Sequence, residues 1–303
     1  MKLKPDWTEH LHAIRRRQFG AAFGRCPKRA FPRALELGAG DGFLSTLLAG
    51  CCGHLTATDL NAQRLQAVDT GNITYRIGDA EAVAEQFPEK HFDLVFSSSL
   101  LEHLSDCPRA LAGIARVLKD DGLAVHYLPN QLWKALTILL YWPHKIVKIL
   151  DKTLGGRSAR RRVPQGPPRE YEHNNLKTPR RRRNVLAKLF LPRIHGVSTT
   201  TMGELTAFGP SRWIRRFEQA GFVVLGVYKA GFNSGYGFGY PRLRRLLERA
   251  GLHTSYAYVL AKRGRAAAAA GLLGPGQAGK TPGVKCHRAL GGVAGSPGGV
   301  CSP

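Results

Sequence analysis

Ala34-Leu35-Glu36-Leu37-Gly38-Ala39-Gly40-Asp41-Gly42, with the apolar run Leu55-Thr56-Ala57-Thr58-Asp59 after it, decides how the rest of the chain is read. An apolar strand that breaks into alternating glycines lets backbone approach a ligand closely, because glycine has no Cβ. An acid about 20 residues further on, at the tip of the next strand, is placed to hold ribose hydroxyls. The pair points to an adenosine-containing cofactor.

The dinucleotide fingerprint G-x-G-x-x-G is incomplete, since Phe43 stands where its third glycine belongs and Gly42 falls one place early. Glu36 ends the first strand and Asp41 lies inside the loop. A pyrophosphate seeks the positive end of a helix without a carboxylate beside it. The charges suit a cationic ligand better. S-adenosylmethionine, with a sulfonium, an ammonium and no phosphate, fits this loop better than a nicotinamide dinucleotide.

Apolar runs near 33–38, 54–59, 72–77, 92–97 and 122–128 predict strands, and helical patterns near 42–50, 61–68, 80–86 and 106–118 separate them. That alternation implies a parallel α/β sheet with right-handed crossovers. An amphipathic helix over 6–25, with the run Arg15-Arg16-Arg17, precedes it. After the core, Gly209–Ala220 and Arg242–Ala250 predict helices, while Phe222–Tyr228 and Tyr256–Lys262 predict strands.

At these residues the chain resembles a family. Leu35–Gly42 is similar to the first motif of class I S-adenosylmethionine-dependent methyltransferases of the broad type 11 set, and Thr58-Asp59-Leu60-Asn61 to their second. Gly78-Asp79-Ala80, Phe92–Ser97 with Leu101-Glu102-His103-Leu104, and Val117–Leu123 resemble the later ones, in order. The resemblance implies a Rossmann-like α/β fold: a seven-stranded, mostly parallel sheet with helices on both faces, an insert after the fifth strand, and antiparallel sixth and seventh strands. It implies that Gly38 and Gly40 line the methionine end, Asp59 holds the ribose and Asp79 meets the adenine amino group, with Glu36, Leu60, Ala80 and Ser97 also around the cofactor. Taken alone, Asp59 and Asp79 would each serve as helix caps.

Methyl transfer needs a general base only where the acceptor must lose a proton. His103, just after the fourth strand, with Glu102 beside it, is the candidate; the competing reading is an ordinary helix start. Ser99 stands where a metal-binding version of this turn would carry a carboxylate, so no metal is expected. His173 and His195 lie further on with nothing to fix their role.

The chain has 303 residues and a net charge of +24, unevenly spread. Residues 1–130 hold 15 basic and 15 acidic side chains, 131–200 hold 16 against 3, and 201–303 hold 14 against 3. The asymmetry points to an anionic partner of the second half. The organisation expected is an N-terminal helical segment (1–30), the cofactor core (31–130), a basic and aromatic insert or lid (131–200), a completion of the fold (201–263) and a disordered low-complexity tail (264–303). The tail contains Gly274–Thr281, which fits the P-loop pattern but has neither the strand before it nor the helix after it that a P-loop needs.

Residues 131–150, with Trp133 and Trp142, are too interrupted to span a bilayer, which takes about 20 predominantly apolar residues. A helix lying in a membrane interface and a lid over the site fit equally. The arginine runs at 160–162 and 180–183 suit anionic lipid or nucleic acid, and the absence of an aromatic-interleaved RNA motif disfavours the latter. Scattered cysteines without a C-x-x-C pair and no apolar leader at Met1–Trp7 lead to the expectation of a cytoplasmic protein, peripheral on the cytoplasmic membrane. The activity expected is methyl transfer to a small-molecule, lipid-linked, glycan or quinone-like acceptor. The rivals are an RNA or protein methyltransferase and a non-catalytic binding protein of the same fold.

Overall fold

The structure is a computed structural model. It describes residues 7–63, 65, 70–154, 192, 200–233, 235–236, 241–264 and 271–274. Seven strands form one sheet in the order β3-β2-β1-β4-β5-β7-β6: β1 (Phe31–Leu37), β2 (Cys52–Asp59), β3 (Ile73–Ile77), β4 (Phe92–Ser98), β5 (Leu118–Pro129), β6 (Phe222–Lys229) and β7 (Ser255–Lys262). β1 lies between β2 and β4, with Leu35 opposite Thr56 on one side and Val95 on the other. The chain order jumps there from one side of β1 to the other, so a crevice opens at the carboxyl ends of β1 and β4, where ligands bind in such sheets.

Strand alternation divides the core into two layers. Ala34, Leu55, Leu94, Phe96 and Val125 pack with Phe23 of α1 (Trp7–Phe23) and Leu48 of α2 (Phe43–Ala49). Leu35, Val95 and Ala124 pack on the other face with Leu111 and Ile114 of α4 (Cys107–Val117). Between β3 and β4 a 3₁₀ turn at Ala80–Ala82 leads into α3 (Val83–Gln86). The chain after β5 forms α5 (Gln131–Leu139) and α6 (Tyr141–Leu154); α7 (Thr201–Ala207), α8 (Pro210–Gln219) and α9 (Pro241–Arg249) follow. Trp213 and Phe217 of α8 are buried on one face, as their spacing predicts.

Three local expectations are corrected. The fifth strand starts at Leu118 rather than near 122, because Leu118 already pairs with Phe92 and a register shift between Phe92 and Leu94 takes up the polar Lys119–Gly122 segment. The helix expected over 61–68 does not begin at Asn61. Residues 62–63 form a turn in which Asn61 N–H donates to Asp59 Oδ1 and Gln63 N–H to Asn61 Oδ1, both at 2.9 Å; positions 64 and 66–69 lie outside the described residues. Among the last strands only β7 is reversed. It pairs antiparallel with both β5 and β6, which leaves β6 parallel to the core.

The arginine runs at 160–162 and 180–183, His173, His195 and most of the 264–303 tail lie outside the described residues. Within that tail, residues 271–274 are described: Leu273 is buried against α1 and Gly274 N–H donates to Ala22 O at 2.6 Å. Among the described residues no helix is long and apolar enough to cross a membrane.

Candidate functional site

The loop between β1 and α2 is built by its own backbone. Gly38 and Gly40 have φ of 74° and 58°, the left-handed region that glycine adopts without strain. A Cβ at Gly38 would come within 3.1 Å of the Leu100 side chain, so a larger residue there would have to push Leu100 aside as well as hold a strained φ. The N–H groups of Gly38 and Ala39 donate to Thr58 O at 2.8 and 2.9 Å. Gly40 N–H donates to Asp59 Oδ2 at 2.9 Å, Gly42 N–H to Ala39 O at 3.1 Å and Phe43 N–H to Asp41 Oδ1 at 3.3 Å. A pyrophosphate is held by free N–H groups at such a turn. Here those of Gly38, Ala39, Gly40, Gly42 and Phe43 are spent on β2 and on the loop itself.

Glu36 lies two residues before this turn and is 1% exposed. Its Oε2 meets no hydrogen-bond donor among the described residues. Burial pushes its carboxyl up to about 7; the neighbouring Ser45 hydroxyl and Arg15 guanidinium pull the other way, while Asp41 and Asp59 add to the rise. A buried carboxylate without a full complement of donors is costly on its own and is relieved by a cation.

Asp59 is buried at the carboxyl end of β2, with one oxygen on Gly40 N–H and the other on Asn61 N–H. It clasps the glycine loop to β2. Each carboxylate oxygen keeps a second lone pair for a further donor. Leu60 beside it is 59% exposed, an apolar lip over the crevice. Asp79 is half-buried and its Oδ1 accepts from Glu81 N–H at 2.9 Å, capping the turn that carries the buried Ala80. Ser97 is placed differently: its hydroxyl shares a 2.8 Å hydrogen bond with His126 Nδ1 inside the sheet. His126 is fully buried, its pKa lowered to about 3 by desolvation, and it stacks near Phe217.

Glu102 and His103 occupy a 3₁₀ turn at the end of β4, with Nε2 of His103 3.8 Å from Oε1 of Glu102. Both are buried, and desolvation pushes Glu102 up to about 8, so near neutral pH it is largely a neutral carboxylic acid. Just before them, Ser99 holds a φ of 51°, uncommon for a side chain that is not glycine. Among the described residues no group of three or more acidic, His or Cys side chains could hold a metal ion.

Sequence reading missed what α1 does. Asp41, expected to face a cationic ligand, accepts from Arg15 Nη1 at 2.9 Å and lies 2.8 Å from His12 Nε2. The His12 ring stacks on Phe43 with centroids 3.9 Å apart. Arg15 lowers the Asp41 pKa and offsets the cost of its burial. Only the arginine run hinted at this. Also missed was an ion pair of Lys134 on α5 with Glu204 on α7, both fully buried.

Residues 35–126 match the methyltransferase-domain family. The ubiquinone biosynthesis O-methyltransferase of Aromatoleum aromaticum (strain DSM 19018 / LMG 30748 / EbN1) is 28% identical over 128 residues, 40% of this chain and 53% of that protein. The mitochondrial arginine-hydroxylase NDUFAF5 of Rattus norvegicus is 40% identical over 100 residues, 32% of this chain and 29% of that protein. The crystal structure of an S-adenosylmethionine-dependent methyltransferase from Mesorhizobium loti is 18% identical, covers 82% of this chain and 95% of that one, and has a TM-score of 0.46. The chain spans about half the length, or less, of these curated relatives. Residues 35–126 thus match the methyltransferase-domain family, and they lie within a seven-stranded sheet of order β3-β2-β1-β4-β5-β7-β6.

Proposed function

We propose that the protein transfers the methyl group of S-adenosylmethionine to a small nucleophilic acceptor, quinone-like, lipid-linked or glycan. The observation that carries this is the combination of a loop whose N–H groups at Gly38, Ala39, Gly40, Gly42 and Phe43 are already bonded and a buried, under-donated carboxylate at Glu36. That site disfavours phosphate and favours a cation. Glu36, Gly38 and Gly40 would face the methionine end, Asp59 the ribose hydroxyls, and Leu60, Asp79 and Ala80 the adenine. The cofactor supplies a methyl group already activated on a sulfonium.

The protein's own task is then to align the acceptor and exclude water. Where the acceptor is a hydroxyl, His103 is the residue proposed to take its proton, held in place by the buried turn it shares with Glu102. Ser97 is a weaker ligand candidate, because its hydroxyl is engaged with His126. The quinone-like class is supported by the names of the bacterial relatives. Cytoplasmic location belongs to the same proposal; the four described cysteines, 26, 51, 52 and 107, are all free thiols, which suits a reducing compartment.

The test is calorimetric titration with S-adenosylhomocysteine, with NAD as control, followed by transfer of labelled methyl to quinol, lipid and glycan acceptors. Binding of S-adenosylhomocysteine alone with transfer to one of them supports the proposal. Binding without any transfer moves the reading to a non-catalytic protein of this fold. Transfer to RNA or protein alone moves it to the macromolecular methyltransferases. The rat relative is named for a hydroxylation, so the transferred label, and not cofactor binding, identifies the reaction.

A further inference from the structure

Helix α9 carries its charges in an unusual arrangement. Its inward side is mostly polar: Arg244 is buried, with Nη2 3.5 Å from His10 Nδ1, Glu248 pairs with Arg17 and accepts from Phe232 N–H at 2.9 Å, and of its three leucines only Leu247 is half-buried. Its exposed residues are Arg242, Arg245 and Arg249 interleaved with Leu243 and Leu246, the latter 61% exposed. A shallow hollow of about 400 Å³ lies among Arg242, Arg245, Leu246 and Arg249. A helix that serves only the core turns its leucines inward.

Helix α6 presents a matching surface. Trp142, Ile146, Ile149 and Leu150 fall at the spacing of one helical face and are all exposed, as is Leu139 at the end of α5. Lys145 Nζ lies over the Tyr141 and Trp142 rings, 4.6 and 5.3 Å from their centroids, which places a cation at the edge of the apolar face.

Both helices leave from the same end of the sheet. Ser255, the first residue of β7, pairs with Pro129, the last of β5. The described residues between 230 and 254, with α9 among them, therefore connect at the carboxyl end of β5, and α5, which leads into α6, starts there too. His144 of α6 stacks on Tyr236, on the segment leading to α9, with centroids 4.5 Å apart. The glycine loop opens at this end as well.

We propose that α9 and α6 form one docking surface for an anionic lipid bilayer, set at the rim of the cofactor crevice. Leucines and a tryptophan enter the headgroup boundary while arginine and lysine meet lipid phosphate. The leucines separate this reading from a nucleic-acid face, since phosphate and ribose gain nothing from them. The docking surface stands on these helices alone; only the idea that a lipid-borne acceptor enters there rests on the function proposed above.

The experiment is flotation of the full chain with phosphatidylcholine vesicles, with and without phosphatidylserine. The triple variant Arg242→Gln, Arg245→Gln, Arg249→Gln keeps the arginine runs at 160–162 and 180–183, so a loss is assigned to α9. Partition onto anionic vesicles should fall at least about tenfold in that variant. Leu243→Ser with Leu246→Ser, and separately Ile146→Asn with Ile149→Asn, should each weaken it and make the remainder fully salt-sensitive. Thermal melts on every variant keep folding out of the comparison. Wild-type partition by the arginine variant overturns the proposal, as does equal binding to neutral vesicles. Wild-type partition by both apolar pairs, with full competition by single-stranded RNA, reassigns the face to nucleic acid. Failure to bind S-adenosylhomocysteine sinks the function proposed above and leaves the flotation result to judge this one.

Discussion

Arg15 Nη1 donates to Asp41 Oδ1 at 2.9 Å and so fastens the glycine loop to α1. The loop is held from two sides, by α1 through Asp41 and by β2 through Asp59. Arg15→Ala leaves Asp41 without its main counter-charge. The expected result is a roughly fivefold to tenfold loss of S-adenosylhomocysteine affinity, about 1 to 1.5 kcal/mol, with a modest fall in melting temperature. Calorimetric titration beside a thermal melt checks it; unchanged affinity would show that α1 does not set the loop.

Asp59 separates a ligand role from a structural one. Removing its carboxylate strands two backbone N–H groups, of Gly40 and Asn61, at about 1–3 kcal/mol each if they stay buried. Asp59→Ala should therefore lose both cofactor binding and stability, while Asp59→Asn, which keeps one acceptor oxygen and sets its NH2 against the other N–H, should lose affinity with a smaller loss of stability. Denaturant unfolding of both variants, set against their titrations, reads the two effects apart. Normal affinity in Asp59→Ala would reject the ribose assignment.

Glu36 should make both stability and affinity depend on pH. Its carboxyl ionises near 4.5 in the unfolded chain and near 7 in the fold. Between those values the folded state holds a proton that the unfolded state has released, so stability falls as pH rises through this window and stays lower above it. Glu36→Gln removes that loss. The variant should gain on the wild type between pH 4.5 and pH 8 by on the order of 3 kcal/mol. A cationic ligand needs the ionised form, so wild-type affinity should climb over the same window and that of Glu36→Gln stay flat. Parallel affinity curves would contradict the role of Glu36.

Lys134 and Glu204 join α5 to α7 by an ion pair with no solvent exposure. Removing one partner leaves a buried charge, and Lys134→Met should cost about 3–5 kcal/mol. The double variant with Glu204→Leu should recover most of it, a comparison that chemical denaturation of the three proteins makes directly. A double variant as unstable as the single one would mean that packing, rather than the unpaired charge, sets the loss.

Much of this was legible because it is local. Leu35–Gly42 and Leu55–Asp59 announce strand, glycine turn and strand through composition and period, and β1, β2 and α2 fall close to the expected residues. Asp79 was readable both as a cap and as a ligand, and the structure realises the cap, which leaves the ligand role to the titrations. The start of β5 was not legible. Lys119-Asp120-Asp121-Gly122 has turn chemistry, and only pairing of Leu118 with Phe92 keeps it in the strand. The direction of β6 was equally hidden, since one strand reads alike in both directions and its neighbour alone fixes its sense.

By itself the sequence determined the α/β alternation, the glycine loop, the acid at the tip of β2 and the excess of positive charge after residue 130. All of these are set by residue type and short-range spacing. Tertiary structure alone decided that Asp41 pairs with Arg15 of α1, that Ser97 turns to His126, that Lys134 meets Glu204, and that Arg242, Arg245 and Arg249 of α9 face outward beside leucines. Each of these joins side chains from separate elements. A charge written in a sequence carries no record of its counter-charge, because distance along the chain does not fix distance in space.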